Sequence, residues 1–294
     1  MSTWLITGGS GFLGGHMAGS LPPGIDPVML GRRRPTGWTG RFAPADLGDR
    51  EGLCRVVDEV APEVVVHLAG RTPPADASEY YRVNTRNTWH LLSALGRIGR
   101  ACRVVLAGSA AEDLAEGGRH GPYGLSKWAA TRVGMIGRGP VEVTSARIQN
   151  PIGPGMPASQ AFGRFASILA RPGPDPLPIA VGDLDARRDF VDARDVCDAL
   201  VALAQRGRPG RVYPVGTGIA RRVGEGLDAL VRRSGRRVVV EVSSTSMSPM
   251  VPPPRADLAA IVADTGWSPR VGWSRSIDDL WAWASAAEAG RRSA

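Results

Sequence analysis

The most constraining feature of the chain is a glycine-rich turn close to its first residue. Residues 3–7, Thr-Trp-Leu-Ile-Thr, have the apolar pattern of a buried strand, and Gly-Gly-Ser-Gly-Phe-Leu-Gly follows at 8–14, before an amphipathic stretch. This order of strand, glycine turn and helix is typical of a nucleotide-binding βα unit. Gly8 would permit the tight turn, Gly11 would let the backbone approach a diphosphate, and Gly14 would allow close helix–strand packing. The phosphates would lie at the helix N-terminus, where free N–H groups and the dipole favour anions.

The end of the second predicted strand indicates which dinucleotide would bind. Asp26 to Leu30 has the pattern of a strand, and Gly-Arg-Arg-Arg follows at 31–34. A carboxylate here would hydrogen-bond the ribose 2′-OH and select NAD(H), whereas arginine accommodates a 2′-phosphate and selects NADP(H). Because this turn has no acidic residue, we expect Arg32 and Arg33 to bind NADP(H). A solvated basic loop is the alternative.

Buried strands alternate with helical patterns along the first half of the chain. Asp46 and Leu47 follow a short third strand and are placed to contact the adenine. Near-continuous apolar strands are predicted at 63–67, 103–107 and 142–148, with helices at 80–95 and from Pro122. The alternation predicts an α/β fold with a doubly wound parallel sheet of Rossmann type, whose ligands bind at the carboxyl ends of the strands.

The pattern becomes looser beyond Pro151, where proline-rich loops separate shorter helices and strands. We expect the dinucleotide-binding domain to comprise residues 1–150 and about 183–212. A smaller, discontinuous α/β lobe, at about 151–182 and 213–294, would bind the substrate.

The sequence contains a single lysine, Lys127, against 35 arginines, and it lies four residues after Tyr123. On a helix this spacing puts both side chains on one face. An ammonium beside a phenol favours the charged form of the phenol, so we expect Lys127 to lower the pKa of Tyr123. Tyr123 could then act as a general acid or base near neutral pH. The spacing alone leaves open a half-buried tyrosine beside a solvated lysine.

Composition argues against several classes of protein. The formal charge of +8 comes from arginines in short, dispersed clusters without interleaved aromatic residues, so we expect no nucleic-acid partner. The three cysteines and four histidines lack the spacing of a disulfide framework or a zinc site, so we expect no metal. No secretory leader opens the chain and no apolar run could span a bilayer. We therefore expect a cytoplasmic protein that does not bind membranes.

Taken in order, these motifs resemble the extended short-chain dehydrogenase/reductase family, of the NAD-dependent epimerase/dehydratase type. The resemblance extends over nearly the whole chain. It rests on TGGSGFLG (7–14), HLAG (67–70), VNTRNT (83–88), GSAAE (108–112), YGLSK (123–127), RIQNPIGPG (147–155), ARRDFVDARDV (186–196) and GWSP (266–269). The segment 181–196 is most similar to the reductases of GDP-4-keto-6-deoxyhexoses such as GDP-4-keto-6-deoxymannose.

The resemblance implies a role for each matching residue. Ser109 would hydrogen-bond the substrate carbonyl, Tyr123 would transfer the proton, and Lys127 would hold the nicotinamide ribose. Besides Tyr123, Lys127 and the residues assigned above, the cofactor would contact Phe12, Leu13, Leu68, Ala69, Gly70, Asn84 and Ile152. The substrate would contact Thr72, Ser109, Asn150 and Arg188. Arg188 would lie near the diphosphate, because its fork binds phosphate oxygens bidentately; a salt bridge to Asp189 or Asp192 is the alternative.

Departures from the family pattern narrow the expected reaction. Ala110 and Ala111 follow Ser109, where dehydratases have an acidic residue and the epimerase-reductases that make GDP-fucose have a cysteine. Dehydration and C3/C5 epimerisation are therefore unsupported. We expect a homodimer that reduces a nucleotide-linked 4-keto-6-deoxy sugar with NADP(H). Short loops after Gly70 and between Ser109 and Tyr123 leave the substrate open.

Three alternatives remain at the level of the sequence. The first is an NAD-dependent nucleotide-sugar 4-epimerase, which would retain its cofactor and show no net redox. The second is a ketoreductase whose small-molecule substrate carries no nucleotide. The third is a dinucleotide-binding protein of this fold without catalytic activity, against which the set of Ser109, Tyr123 and Lys127 argues.

Overall fold

Twelve strands and eleven α-helices lie in the residues that the computed structural model describes, 1–116, 121–137, 139–242 and 255–292. The strands are β1 (Ser2–Thr7), β2 (Ile25–Gly31), β3 (Arg41–Pro44), β4 (Val64–His67), β5 (Cys102–Ala107), β6 (Val141–Ile148), β7 (Asn150–Ile152), β8 (Leu177–Val181), β9 (Arg187–Asp192), β10 (Val212–Val215), β11 (Ala220–Arg222) and β12 (Val238–Val242). The helices are α1 (Phe12–Ser20), α2 (Arg50–Val60), α3 (Ala77–Tyr80), α4 (Asn87–Arg97), α5 (Ala111–Glu116), α6 (Pro122–Met135), α7 (Ala161–Ala170), α8 (Ala193–Arg206), α9 (Val223–Ser234), α10 (Ala259–Thr265) and α11 (Trp273–Arg292). A π-helical segment, Tyr81–Arg86, joins α3 to α4.

Seven parallel strands form the main sheet in the order β10-β6-β5-β4-β1-β2-β3. The chain moves outward from β1 through β2 to β3, then returns to β4 on the other side of β1 and continues through β5 to β6. The strand order therefore reverses between β1 and β4, where doubly wound sheets form a ligand-binding crevice at their carboxyl ends. The predicted α/β fold is confirmed.

One face of this sheet packs against α2 and α4 through aliphatic side chains. Leu53 and Val57 of α2 and Leu91 and Leu95 of α4 are fully buried, and they belong to one cluster with Leu5 of β1. Each buried side chain of this size contributes roughly 1.5–3 kcal/mol. Burial on both faces explains why the central strands are continuous apolar runs rather than alternating ones.

The chain divides into two compact units. The first comprises Met1–Ile148, Val196–Val215 and Asp257–Ser268, and the second comprises Gln149–Asp195, Gly216–Ala256 and Pro269–Ala294. Both are discontinuous, as in the predicted division, but the boundaries differ at two places. The strand β9, predicted to lie in the first unit, pairs with β7 and β11 and lies in the second. The segment 257–268 returns to the first unit, where α10 packs beside β10.

The second unit contains two small sheets and three main helices. The strands β7 and β11 flank β9, in parallel and antiparallel pairing respectively, and β12 pairs with β8 in parallel. The helices α7, α9 and α11 pack against one another. Phe162 of α7 lies at the centre of an aromatic cluster, with ring centroids 4.8 Å from Phe190, 5.8 Å from Trp273 and 6.2 Å from Phe165.

Within the described ranges, no helix combines the length and the apolar character needed to cross a bilayer. Among the same residues, no three His, Cys, Asp or Glu side chains are grouped so that they could hold a metal ion. The expected homodimer, the cytoplasmic location and the absence of a nucleic-acid partner stay predictions.

Candidate active site

The glycine turn between β1 and α1 has the geometry that its sequence predicts. Gly8 has a φ of 75°, in the left-handed region, and its carbonyl oxygen accepts a hydrogen bond from the N–H of Gly11 at 3.0 Å. A Cβ at Gly8 would lie 2.5 Å from the nitrogen of Ala69, and one at Gly14 would lie 2.3 Å from the Gly8 oxygen. Side chains at these two positions would therefore force the loops after β1 and β4 and the first turn of α1 apart.

Gly11 differs from Gly8 and Gly14 because the protein does not fill the space beside it. A Cβ at Gly11 would meet only the Gly8 oxygen, at 3.2 Å. Gly11 is also the N-cap of α1, and no side chain caps the N–H groups of the first turn, which begins at Phe12 and Leu13. An open, uncapped and glycine-lined helix N-terminus fits the diphosphate of a dinucleotide.

The three arginines after β2 differ in how their side chains are used. The guanidinium of Arg34 donates to the carbonyl oxygens of Trp38 and Gly40 and lies 5.2 Å from the ring centroid of Phe42. Arg32 and Arg33 are exposed, and neither side chain makes a hydrogen bond or ion pair with any residue in the described part of the chain. Binding of a 2′-phosphate by these two cations stays a prediction.

The predicted adenine-contacting residues lie in the turn between β3 and α2. A carboxylate oxygen of Asp46 accepts a hydrogen bond from the N–H of Gly48 at 2.8 Å. Leu47 is buried, and its carbonyl oxygen lies 3.0 Å from the Nδ1 of His90. The turn is thus anchored to α4, and its contact with adenine stays a prediction.

The loop after β4 joins the glycine turn to the helix that carries Tyr123 and Lys127. Leu68 donates its N–H to the Thr7 carbonyl oxygen at 3.2 Å, and Ala69 donates to the Thr7 hydroxyl at 3.1 Å. A Cβ at Gly70 would lie 3.8 Å from the Nζ of Lys127. The loops of the two strands at the reversal point are therefore joined to each other and adjoin Lys127.

Asn84 occupies the π-helical segment that interrupts the helix predicted at 80–95. Its side-chain amide donates to the Arg71 carbonyl oxygen at 3.1 Å and to the Ser126 hydroxyl at 2.9 Å, and its oxygen accepts from the Arg71 N–H at 2.7 Å. Ser126 in turn donates to the Tyr123 carbonyl oxygen at 2.8 Å. Asn84 thus fixes α6 relative to the loop after β4. Its predicted cofactor contact stays a prediction, as does the substrate contact of the exposed Thr72.

Ser109, Tyr123 and Lys127 come together beyond the carboxyl end of β5. Ser109 lies two residues after β5, and Tyr123 lies in the first turn of α6. The Ser109 side chain neighbours the Tyr123 phenol and acts to lower the pKa of that phenol. The ring of Tyr80 stands edge-on to that of Tyr123, with centroids 5.6 Å apart. One face of α6 therefore presents a phenol, with a serine hydroxyl as its neighbour, at the edge where ligands of this fold bind.

The expectation that Lys127 lowers the pKa of Tyr123 is wrong for this structure. Burial raises the pKa of the Tyr123 phenol; the hydrogen bond with Ser109 opposes this rise, and Glu112 and Tyr80 add to it. Lys127 donates from its Nζ to the carbonyl oxygen of Ala107. Burial lowers the pKa of the ammonium, and the charge of Glu112 raises it. The phenol is therefore protonated at neutral pH.

Glu112 is a residue of this site that the sequence analysis did not single out. Its side chain is fully buried, and its Oε1 accepts the Ser109 N–H at 2.7 Å. The Ser109 hydroxyl oxygen in turn accepts the Ala111 N–H at 3.2 Å, so that side chains of both residues bind the backbone of the turn that starts α5. The sequence signal for it was Ser-x-x-Glu at 109–112.

The remaining candidates lie in the second unit. Asn150 donates from its side chain to the Asp189 carbonyl oxygen at 3.1 Å, and Ile152 is buried where β7 pairs with β9. Arg188 is half-buried on β9 and donates to the carbonyl oxygen of Arg187 at 2.7 Å. Contact of these residues with a cofactor or substrate stays a prediction.

The two aspartates that offered an alternative role for Arg188 have other partners. The Asp189 carboxylate accepts hydrogen bonds from Thr217, from the N–H of Gly218 and from the N–H of Ala256, at 2.6–3.0 Å. Asp192 accepts a bidentate pair from Arg194 at 2.8 and 2.9 Å, and a further bond from the hydroxyl of Ser276 at 2.7 Å. Both carboxylates thus tie parts of the second unit together.

A comparison with protein families decides the family of the chain. The model of the family described as "NAD dependent epimerase/dehydratase family" matches residues 4–216, which include the glycine turn, Ser109, Tyr123 and Lys127. The chain belongs to the NAD-dependent epimerase/dehydratase family. The predicted resemblance is thereby confirmed.

Within the family, similar relatives are named for different reactions. The chain is 29% identical to a dTDP-6-deoxy-L-talose 4-dehydrogenase (NAD(P)(+)) of Kitasatospora kifunensis, over 94% of this chain and 93% of that protein. It is 28% identical to a UDP-glucose 4-epimerase of Neisseria gonorrhoeae, over 96% and 97% of the two chains. It is also 28% identical to a GDP-6-deoxy-D-mannose reductase of Pseudomonas aeruginosa, over 92% and 93%.

A solved structure of the family has the same fold. The structure described as RMD from Pseudomonas aeruginosa complexed with NADPH superposes with a TM-score of 0.82. It is 26% identical in sequence, and the match covers 98% of this chain and 100% of that chain. The family thus provides both nicotinamide-dinucleotide reductases and epimerases as relatives, and the chemistry of this chain must be argued from its own residues.

Proposed function

We propose that the protein is an NADP(H)-dependent ketoreductase that acts on a nucleotide-linked 4-keto-6-deoxy sugar. The observation that carries this proposal is the state of Tyr123. Its phenol lies in the first turn of α6 with Ser109 as a neighbour, and burial raises its pKa, so that it holds its proton at neutral pH. Reduction of a ketone needs such a proton donor, because hydride addition leaves an alkoxide that must be protonated.

Each residue of the set has a role in this reaction. A nicotinamide dinucleotide, when bound, would supply the hydride for the keto carbon. The hydroxyls of Ser109 and Tyr123 donate hydrogen bonds to the carbonyl oxygen and stabilise the negative charge that develops on it. Tyr123 then gives its proton to the alkoxide. Lys127, whose Nζ adjoins the loop after β4, holds the ribose of the cofactor and faces the site with a positive charge.

The cofactor preference is supported by the turn after β2. Arg32 and Arg33 are exposed and without partners in the described residues, and no carboxylate stands at 31–34 to select the ribose 2′-OH. Arginine favours a 2′-phosphate at such a position. A reductase also uses its cofactor as a dissociable co-substrate, in keeping with NADP(H).

The substrate class is supported by the relatives and by Arg188. Two similar relatives are named for oxidation–reduction of 6-deoxy nucleotide sugars, one dTDP-linked and one GDP-linked. Arg188 is a half-buried guanidinium on β9, and its planar fork suits a diphosphate. Arg188 and Asn150 would bind the substrate from the second unit.

The proposal is tested by following NADPH consumption with GDP-4-keto-6-deoxymannose and with its dTDP-linked counterpart, and with NADH in parallel. We expect consumption with NADPH and one of the two sugars, and much slower consumption with NADH. Lack of turnover with every nucleotide-linked ketone, under conditions where the protein binds NADPH, would refute the substrate class. Faster turnover with NADH would refute the cofactor preference.

An NAD-dependent 4-epimerase is the second candidate, because a UDP-glucose 4-epimerase is as similar to this chain as the GDP-6-deoxy-D-mannose reductase. A 4-epimerase first removes a proton from a sugar hydroxyl, so its tyrosine must begin as a base. Tightly bound NAD in the purified protein, with UDP-hexose interconversion and no net redox, would favour the epimerase.

A further inference from the structure

Glu112 is fully buried, and its carboxylate binds the backbone of the turn after β5. Its side chain has an exposed fraction of 0%, and its Oε1 lies 2.7 Å from the nitrogen of Ser109. A Cβ at Gly108 would come within 2.6 Å of the same oxygen, so the preceding glycine leaves the space that the carboxylate occupies. The turn after β5 is therefore built around this carboxylate.

The second carboxylate oxygen of Glu112, Oε2, has no hydrogen-bond donor among the described residues comparable to the Ser109 N–H that binds Oε1. Its Oε2 is buried and accepts no hydrogen bond from the residues that the structure describes. This oxygen forms an ion pair with Arg147 of β6, whose Nη2 lies 3.6 Å away, and Arg147 also pairs with the more exposed Asp113. A buried carboxylate acts strongly on the charges around it, because little solvent screens it.

The Glu112 carboxylate influences two titratable groups of the active site, Tyr123 and Lys127. The start of α5 packs directly on α6: a Cβ at Gly124 would lie 2.5 Å from the carbonyl oxygen of Ala111. The negative charge of Glu112 raises the pKa of Tyr123 and also raises the pKa of Lys127. One carboxylate thus favours the protonated form of both groups.

We propose that Glu112 is a positioning residue of the active site, which holds the backbone of Ser109 and sets a buried negative charge against Tyr123 and Lys127. The part that Glu112 plays in catalysis rests on the proposed ketoreductase function. Ketone reduction needs the phenol with its proton and the lysine with its charge. Burial alone favours a neutral lysine, and Glu112 opposes that tendency.

The other charged or titratable groups around the pair do not replace Glu112. Lys127 faces His67, which burial keeps neutral with a pKa lowered to about 3, and donates to the carbonyl oxygen of Ala107. Tyr123 faces the hydroxyls of Ser109 and Tyr80. Neither neighbourhood offers a second carboxylate among the groups that act on these two side chains.

The test compares two variants that remove the same charge at adjacent positions. Glu112→Gln keeps an oxygen that can accept the Ser109 N–H, because glutamine also serves in a capping box. Asp113→Asn removes the neighbouring carboxylate, which has an exposed fraction of 41% and pairs with the same Arg147. Circular dichroism and thermal unfolding verify that both variants fold.

The titrations of Tyr123 and Lys127 provide a measurement that needs neither substrate nor cofactor. Because the chain has one lysine, [ε-¹³C]lysine gives a single side-chain signal in the NMR spectrum. The four tyrosines give four [ζ-¹³C] signals, and Tyr123→Phe identifies that of Tyr123. The full chain is titrated from neutral to alkaline pH as wild type, Glu112→Gln and Asp113→Asn.

We expect Glu112→Gln to move both titrations to lower pH, which gives several-fold more phenolate at the same alkaline pH, and Asp113→Asn to move them less. The alkaline limb of the kcat profile should move with the Tyr123 titration. Unchanged midpoints in Glu112→Gln would overturn the proposal and leave Glu112 as a helix cap. Equal shifts in both variants would also overturn it, since any nearby carboxylate would then suffice. If the ketone assay fails while the shifts occur, the proposed function is wrong and the charge placement stands.

Discussion

Two buried polar clusters lie at the carboxyl end of the main sheet, and they differ in whether their charges and hydrogen bonds are balanced. The histidine cluster, centred on His67 with Thr7 and Thr88, is neutral and its hydrogen bonds are complete. In the charged cluster, centred on Glu112 and Lys127, one carboxylate oxygen of Glu112 accepts no hydrogen bond from the described residues, and burial lowers the pKa of Lys127. The two are close enough for Lys127 to lower the pKa of His67.

Hydrogen bonds in the histidine cluster run in one consistent direction. Ala69 donates its N–H to the Thr7 hydroxyl, which donates to the Nδ1 of His67 at 2.8 Å. The Nε2–H of His67 donates to the Thr88 hydroxyl at 2.9 Å, which donates to the Asn84 carbonyl oxygen at 2.6 Å. These partners assign the proton to Nε2. Because each of these side chains has its hydrogen-bond partners within the protein, the network holds the loops after β1 and β4 in place, and none of its side chains is left to bind or protonate a substrate.

The charged cluster has the opposite character. Glu112 keeps one oxygen without a hydrogen bond, and the pKa values of Tyr123 and Lys127 both depart from their ordinary values. Perturbed ionisable groups with incomplete partners are more typical of catalytic sites than of structural networks. The comparison therefore assigns scaffolding to the first cluster and proton transfer to the second, and substitutions of Tyr123 and His67 test that division.

The largest effect is expected for Tyr123→Phe. Loss of the only proton donor proposed for the alkoxide should reduce turnover of the ketone by about 10²–10⁴-fold, because general-acid catalysis contributes on that order. NADPH affinity should change little. The measurement is kcat from NADPH consumption, with cofactor affinity from fluorescence titration.

The matched control for this variant is Tyr80→Phe. Its ring lies 5.6 Å from that of Tyr123, and its hydroxyl accepts the Ala75 N–H at 3.0 Å, which is a structural contact. Its removal should lower thermal stability slightly and leave most of the turnover. Wild-type turnover in Tyr123→Phe, or an equal loss in both variants, would remove Tyr123 from the acid role.

Local patterns were sufficient to predict the elements that bring the site together. The predicted strands at 3–7, 63–67, 103–107 and 142–148 each differ from β1, β4, β5 and β6 by one residue at the first position and end at the same residue. This accuracy follows from the continuous apolar runs and the glycine or polar residues that end them. The pairing of Tyr123 with Lys127 needed only the helical spacing.

Features that depend on distant residues could not be predicted in this way. The π-helical segment at 81–86 forms where Asn84 bonds to the loop at Arg71 and to Ser126, and no local propensity indicates those contacts. The direction of the Tyr123 pKa shift was predicted wrongly because it depends on burial, which a spacing of four residues does not report.

An intermediate effect is expected for His67→Gln, and it appears in stability rather than turnover. The pKa of His67 is lowered from 6.5 to about 3 in the folded chain. Between these two pH values His67 is protonated in the unfolded chain and neutral in the folded chain. The free energy of unfolding is therefore not reduced by His67 above pH 6.5, and it decreases as the pH falls from 6.5 towards 3. At pH 5 the loss should be about 2 kcal/mol.

The variant should flatten this part of the pH profile. At pH 7 we expect His67→Gln to be less stable by about 1–2 kcal/mol, because it makes the two hydrogen bonds less well. Urea unfolding at pH 7 and pH 5 measures both quantities, and the acidic groups that titrate in both proteins cancel in the difference. If the two proteins lose equal stability between these pH values, His67 is not held neutral and the contrast between the clusters fails.

The smallest effect is expected at the turn after β2, where the same contrast recurs among three consecutive arginines. Arg34 is satisfied by Trp38, Gly40 and Phe42, whereas Arg32 and Arg33 have no partner in the described residues. Replacing both Arg32 and Arg33 with Ala should erode the preference for NADPH over NADH by about tenfold, since two charge-assisted contacts to the 2′-phosphate are lost.

Arg34→Ala removes one of the three positive charges from the same turn and is compared with the single variants Arg32→Ala and Arg33→Ala as well as with the double variant. We expect it to lower the thermal midpoint and to leave the ratio of kcat/KM values for NADPH and NADH unchanged. The double variant should show the reverse, because its side chains contact solvent rather than protein. If Arg34→Ala changes the ratio as much as the double variant does, the turn acts only through its net charge. The absence of a protein partner would then no longer distinguish residues that bind ligand from those that hold the fold.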